Sequence, residues 1–233
     1  MSKFEVFLPR MPRQFNRRDF LRMGTLAAAA PIFDLKLPHG LDFTLLNSPT
    51  PQKYLIETMP GGVALFDYNN DGLLDIFLVN GGRVTSPMLL PEKFDRDNPR
   101  YWNRLCRQSK DGSFTDVTAA AGLSSAGVGN YGMGVAIGDY DNDVRPDTLV
   151  TELPREIYGL YHNDGGGLFT NESLETGLGA LTAGSSGWGV GLEDLDNDGW
   201  KDLLVTQGHV LDNVEAIEHS LRYLETPLLA LNS

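Results

Sequence analysis

Apolar runs of four or five residues recur along the chain, and clusters of Asp, Asn, Gly and Pro separate them. Val135 to Gly138, Thr148 to Thr151, Ile157 to Tyr161 and Leu168 to Asn171 read as four successive short strands. Some runs are apolar almost throughout, as in Asp202-Leu203-Leu204-Val205. That pattern predicts strands covered on both faces. No helical pattern of ten or more residues lies between strands, which disfavours a parallel α/β layout. One helix is predicted near 213–224, where Asp212 and Glu215 match a capping box ahead of Val214, Ile217, Leu221 and Leu224.

The runs repeat. Residues 105–151 align without gaps on 160–206 at an offset of 55: Gly112-Ser113-Phe114-Thr115 falls on Gly167-Leu168-Phe169-Thr170, and Gly132-Met133-Gly134-Val135 on Gly187-Trp188-Gly189-Val190. A third copy opens at Gly62-Val63-Ala64-Leu65-Phe66, lengthened by a loop around Arg83 to Trp102 that reads as a surface insertion. Four short strands in a unit of about 50 residues is the size of a propeller blade. The predicted fold is all-β: an incomplete β-propeller of about three to four blades with one inserted helix.

Each copy carries an acidic loop after its first strand. Loop one is Asp67-Tyr68-Asn69-Asn70-Asp71-Gly72-Leu73-Leu74-Asp75, loop two is Asp139-Tyr140-Asp141-Asn142-Asp143-Val144-Arg145-Pro146-Asp147, and loop three is Asp194-Leu195-Asp196-Asn197-Asp198-Gly199-Trp200-Lys201-Asp202. Side-chain oxygens at positions 1, 3, 5 and 9, with the carbonyl of position 7 (Leu73, Arg145 or Trp200), form an all-oxygen set. Such a set suits calcium before magnesium, with up to three ions in the chain. These are not EF-hands: position 12 holds Leu78, Val150 or Val205 instead of a bidentate Glu, and strands follow where a helix should. Loop three, with four carboxylates and a Gly at position 6, is expected to bind most tightly. Loop one has Asn69 in place of a carboxylate, and loop two carries Val144 where the turn favours glycine.

Charge sharpens the picture. The 233 residues include 31 acidic and 19 basic side chains, and 20 of the acids are Asp. Eleven of those Asp stand in the three loops, and without them 20 acids face 19 bases. The acidity therefore points to ion sites, and it argues against nucleic acid as a partner, since nucleic-acid binding needs a basic face. The single Cys106 excludes an intrachain disulfide framework. No stretch has the apolar length of an integral membrane segment. Residues 1–30 carry six basic and two acidic side chains, with Arg17-Arg18-Asp19-Phe20-Leu21 ahead of a small apolar run ending at Ala30. This resembles a twin-arginine export signal, cleaved near Ala29, with Met1 or Met11 as the start, and it predicts a periplasmic or extracellular protein. The alternative is a basic amphipathic N-terminus. Residues 31–40 read as a linker and 41–233 as the repeat region.

The three loops, together with Tyr54-Leu55-Ile56-Glu57-Thr58-Met59 leading into Gly62-Val63-Ala64-Leu65-Phe66-Asp67, and Gly112-Ser113-Phe114-Thr115-Asp116-Val117-Thr118, resemble FG-GAP (VCBS) repeats. These are the calcium-binding blades of integrin α chains. The match is closer still to bacterial proteins of the cartilage-acidic-protein-like type, in which such repeats precede an ASPIC/UnbV domain. The resemblance implies a β-propeller, an extracytoplasmic location, calcium at the loop positions named above and no catalytic residue. Val144 and Asn69 depart from the family pattern. The segment Pro227 to Ser233 corresponds to Gly159 to Asn163, so the repeat pattern stops in mid-blade. The expectation is a truncated or fragmentary propeller, or a half-propeller that self-associates through open blade edges.

The function expected is a non-catalytic, calcium-stabilised binding or scaffold module with a protein or glycan partner. The alternatives are a truncated fragment without independent function and a cell-envelope hydrolase, because propellers also host catalysis. Candidates for the hydrolase are few. His39, His162, His209 and His219 are scattered without ligand spacing, and Gly184-Ser185-Ser186-Gly187 lacks the spacing of a nucleophile elbow. Glu57 and Glu193 have no assignable partner carboxylate, and Trp188 and Trp200 either pack blades or stack a sugar.

Overall fold

The computed structural model describes residues 39–83, 98–124 and 131–233; the basic N-terminal segment and most of the Arg83–Trp102 insertion lie outside them. The apolar runs become strands. β1 (Gly62–Phe66), β2 (Asp75–Val79), β3 (Arg104–Gln108) and β4 (Phe114–Asp116) form one antiparallel sheet in that order. β5 (Val135–Gly138), β6 (Asp147–Val150), β7 (Gly159–Gly165) and β8 (Leu168–Asn171) form a second with the same order. β9 (Gly187–Glu193), β10 (Asp202–Gln207) and β11 (Leu228–Ala230) form a third, in which β11 takes the place of the third strand. The first strands lie side by side, β1 against β5 and β5 against β9. This is the stacking of propeller blades: the described residues make two full blades and three strands of another.

Between blades one and two lies a core of Phe66, Phe77, Val79, Leu105, Val150, Tyr161 and Phe169; between blades two and three lies one of Ala136, Leu149, Leu160, Leu192, Leu203 and Val205. Each Val, Leu or Phe among them contributes about 1.5–3 kcal/mol by leaving water. Every residue of β6 is buried, as expected of a strand covered on both faces. β10 departs from that expectation: Leu203 and Val205 pack on blade two, while Leu204 is 44% exposed, because no blade among the described residues covers its other face. The glycine pattern serves close approach. A Cβ at Gly134 would stand 2.1 Å from the carbonyl oxygen of Trp188 on the neighbouring first strand, so only glycine allows the two backbones to meet.

The repeat also governs hydrogen bonds that the apolar pattern does not reveal. The Thr118 hydroxyl donates to Asp116 Oδ1 at 2.6 Å and accepts from the Leu105 amide at 3.0 Å; Ser173 does the same with Asn171 at 2.7 Å and Leu160 at 2.9 Å. Both tie the end of the outer hairpin back to its beginning. The lone Cys106 is buried, and burial pushes its thiol up to about 11, so it is an inert core residue.

The helix predicted over 213–224 shrinks to α2 (Val214–Ile217), a single turn whose N-cap is Asn213 without a side-chain cap, so the Asp212–Glu215 box does not form. Val214 and Leu221 are buried, but Ile217 and Leu224 are exposed. With half of its apolar stripe unpacked, the segment gains too little to propagate a helix. A short helix that the pattern did not announce, α1 (Leu178–Thr182), follows β8 and buries Leu178 in the core of blades two and three.

Neighbouring blades are stitched by an amide. Asn163, fully buried on β7, donates from Nδ2 to the Tyr68 carbonyl of loop one at 2.9 Å and to Pro146 at 3.2 Å. Asn232, just after β11, donates from Nδ2 to the Tyr140 carbonyl of loop two at 2.6 Å. Replacing Asn163 by Ala strands a buried carbonyl and is expected to cost about 1–3 kcal/mol in urea unfolding. Asn232→Ala, at a half-buried position, is expected to cost less.

Candidate metal-binding loops

The three loops share one hydrogen-bond pattern. In loop one, Asp67 Oδ1 accepts from the Asp71 amide at 3.0 Å and Oδ2 from the Gly72 amide at 2.7 Å, while Asp71 Oδ1 accepts from the Leu73 amide at 3.0 Å. Loop two repeats this with Asp139 on the amides of Asp143 and Val144 (3.0 and 2.8 Å) and Asp143 on that of Arg145 (2.9 Å). Loop three repeats it with Asp194 on Asp198 and Gly199 (both 3.1 Å) and Asp198 on Trp200 (2.9 Å). Position 4 is Asn in all three, with φ of 58°, 59° and 64° at Asn70, Asn142 and Asn197. Asn tolerates that left-handed conformation better than other non-glycine residues, a requirement the sequence reading passed over.

The ninth residue anchors each loop from beneath. Asp75, Asp147 and Asp202 have no exposed surface. Each accepts one amide from position 2 (Tyr68 at 3.2 Å, Tyr140 at 3.1 Å, Leu195 at 2.8 Å) and one from the third strand or the residues just after it (Gln108 at 2.8 Å, Asn163 at 2.8 Å, Asn232 at 2.9 Å). Burial dominates in the two full blades: it pushes Asp75 above the usual carboxylate range and Asp147 up to about 6. In blade three the Asn232 and Leu195 amides dominate and hold Asp202 below that range.

The carboxylates converge unequally. Asp139, Asp141 and Asp143 in loop two, and Asp194, Asp196 and Asp202 in loop three, bring ligand atoms within 4.8 Å of one another, close enough to hold a metal ion. Among the described residues loop one has no such set. Its Asn69 turns an amide onto Asp71 Oδ2 at 3.0 Å, supplying a donor where the other loops have a third carboxylate. The amides of Leu73, Arg145 and Trp200 are held by position 5, which shapes the turn that carries their carbonyls.

Loop two has an arginine and a histidine against its carboxylates. The Arg145 guanidinium pairs with Asp143 and donates from Nε to the Asn163 carbonyl at 2.5 Å. His162 on β7, which the sequence reading set aside as lacking ligand spacing, stands against this loop. Its Nδ1 is 3.4 Å from Asp141 Oδ2 and 3.3 Å from Asp147 Oδ1. The missing signal was the strand register that brings β7 beside β6, not any motif.

The other candidates have structural duties. Glu57 is buried and accepts from the Thr50 and Tyr54 amides, both at 3.0 Å, and from the Thr50 hydroxyl. Glu193 is exposed beside Lys201, 3.9 Å away. Trp188 packs on the cluster of Ile56, Tyr131, Met133 and Leu153 and donates from Nε1 to the Gly208 carbonyl at 2.7 Å. It also borders an open cavity of about 350 Å³ with Met59, His209, Tyr223 and Glu225. His209 Nδ1 accepts from the Leu211 amide at 3.0 Å, and burial holds the ring below its ordinary range, in the neutral form at neutral pH.

Two measurements probe this geometry. Val144 is the loop-two counterpart of Gly72 and Gly199; its φ is 73°, and its side chain is 91% exposed. Val144→Gly relieves a strained conformation without emptying a core and is expected to raise stability by about 1 kcal/mol in thermal melts. Burial pushes Glu225 up to about 7, above its unfolded value near 4.5, so the native state holds the extra proton between those values. Stability contributed by this group is full at about pH 4 and is lost as pH rises through 7. Glu225→Gln is therefore expected to raise Tm relative to the parent at pH 8 and to leave it nearly unchanged at pH 4.

Comparison with known proteins places part of this chain. Nothing matches among curated proteins. Among solved structures, a rhamnogalacturonan lyase from Bacillus licheniformis is similar at 20% identity with a TM-score of 0.34, over 61% of this chain and 28% of the lyase. The chain thus spans under a third of that enzyme's length. Residues 67–150 match the FG-GAP-like repeat family, a span that opens on the first residue of loop one, takes in all of loop two and closes with β6.

Proposed function

We propose that this chain is an exported calcium-binding β-propeller module of the FG-GAP/VCBS type, non-catalytic, that presents a binding surface to a protein or glycan. The observation that carries the reading is the threefold recurrence of one loop, with the same carboxylate–amide pattern each time and carboxylates gathered at loops two and three. Oxygen donors at irregular positions suit calcium's six to eight ligands at about 2.3–2.6 Å. The ion relieves the repulsion among grouped carboxylates and joins the first strand's exit to the second strand's start. Loop three, with four carboxylates and glycine at position 6, is the strongest site.

The blade motifs support kinship to the cartilage-acidic-protein-like type, and the arginine pair near the N-terminus supports export. No helix among the described residues is long and apolar enough to cross a membrane. The non-catalytic reading is supported by Glu57 and Glu193, the former acid/base candidates, being occupied by a local cap and a surface ion pair.

The test is calcium titration of the full chain, alone and with Asp198→Ala or Asp71→Ala. Asp198→Ala is expected to remove more affinity than Asp71→Ala. Calcium at a hundredfold excess over Kd is expected to add about 2.7 kcal/mol per filled site, seen as a fall in Tm on chelation. A Tm insensitive to chelator refutes the calcium reading.

A further inference from the structure

Loop two differs from its two counterparts in a way that changes its ion chemistry. Its blade alone has an imidazole on the third strand beside the loop. In the sheet register His162 pairs with Thr170 as Arg107 of blade one pairs with Thr115, and Leu231 precedes Asn232 as His162 precedes Asn163. Arg107 and Leu231 offer no metal donor; His162 does.

The geometry around the ring is that of a donor set. His162 is 13% exposed, and its Nδ1 is buried without a hydrogen-bond partner. That nitrogen nevertheless faces Asp141 Oδ2 at 3.4 Å and Asp147 Oδ1 at 3.3 Å. Metal–donor bonds of about 2.0–2.1 Å in a tetrahedral arrangement separate the donors by about 3.3–3.4 Å. The two separations from Nδ1 match that value, and all three side chains offer ligand atoms within 4.8 Å of one another. The surroundings fit as well. Asp147 Oδ1 also takes the Asn163 amide, and Asp141 Oδ1 takes the Asp143 amide at 3.3 Å, so both carboxylates are held in orientation. On the far side of the ring, Nε2 lies 3.7 Å from Asp164 Oδ1 and 3.8 Å from Asp143 Oδ2, which places negative charge behind a metal-bound imidazole. Arg145 meanwhile occupies Asp143, a carboxylate that an all-oxygen site would need.

We propose that loop two is a zinc-class transition-metal site formed by His162 Nδ1, Asp141 and Asp147, and not a third all-oxygen site. Imidazole favours zinc and its neighbours over calcium, which takes oxygen donors. The ion clamps the β5–β6 loop to β7 and so fastens the inner and outer halves of blade two. This assignment is independent of the calcium reading of loops one and three.

The test uses the tag-free full chain, titrated calorimetrically with zinc chloride and, separately, with calcium chloride. One zinc ion is expected to bind at least tenfold more tightly to the parent than to His162→Ala, and to survive an equal concentration of calcium. Asp141→Ala, at a half-exposed position, is expected to lose zinc similarly, with near-ultraviolet circular dichroism showing both variants folded. Zinc affinity within twofold of the parent in folded His162→Ala overturns the proposal, as does displacement of zinc by equimolar calcium. Calcium binding to loops one and three is expected to be unchanged in His162→Ala. A chain that binds zinc through His162 but takes up no calcium refutes the calcium reading and leaves this one standing.

Discussion

In each sheet a carboxylate with no exposed surface accepts two backbone amides at the first residue of the second strand. Asp75, Asp147 and Asp202 each hold the entry to the acidic loop with one oxygen and the third-strand side of the blade with the other. A buried carboxylate is costly, and hydrogen bonds to a charged acceptor are among the stronger ones that can offset that cost. The upward push on Asp75 and Asp147 shows that in the full blades desolvation still has the larger say. The loop and the sheet are therefore one electrostatic unit, and the loop's composition follows from what the sheet buries beneath it.

Built on that common base, the loops diverge through their neighbours. Loop one softens its charge with Asn69, whose amide faces Asp71. Loop two brings Arg145 from within and His162 from the next strand, and it tolerates valine at a left-handed position. Loop three keeps four carboxylates, and its Lys201 lies 3.9 Å from Glu193, outside the loop. One pattern repeated three times thus carries three local charge balances without a change in backbone hydrogen bonding.

The strands and loops were legible because they recur: the 55-residue offset placed β5, β8 and the loop boundaries to within a residue or two. Apolar content alone was a poorer guide. It marked β10 as doubly covered, although Leu204 is exposed, because coverage depends on a neighbouring blade and not on the strand itself. It extended α2 well beyond its single turn, because Ile217 and Leu224 have nothing to pack on. In the candidate site, the Asp positions were readable from spacing. His162 and Asn163 were not, since they reach the loops through strand register across more than ten residues. The isolated turn of α1 had no periodic signal to read.

The amides that join blades carry a consequence for how this chain melts. Tyr68 in loop one is held by Asn163 of blade two, and Tyr140 in loop two by Asn232 of blade three. Each of these loops is thus tied to the blade that follows it, while Asn142 of loop two donates in turn to the Gly199 carbonyl of loop three at 3.2 Å, so the coupling between neighbours is mutual. In repeat proteins, stability divides into intrinsic and nearest-neighbour parts. Here a nearest-neighbour contact falls on the backbone of the loop itself. Loss of order in one blade therefore loosens the acidic loop of its neighbour, and the shared contact opposes fraying of either blade alone.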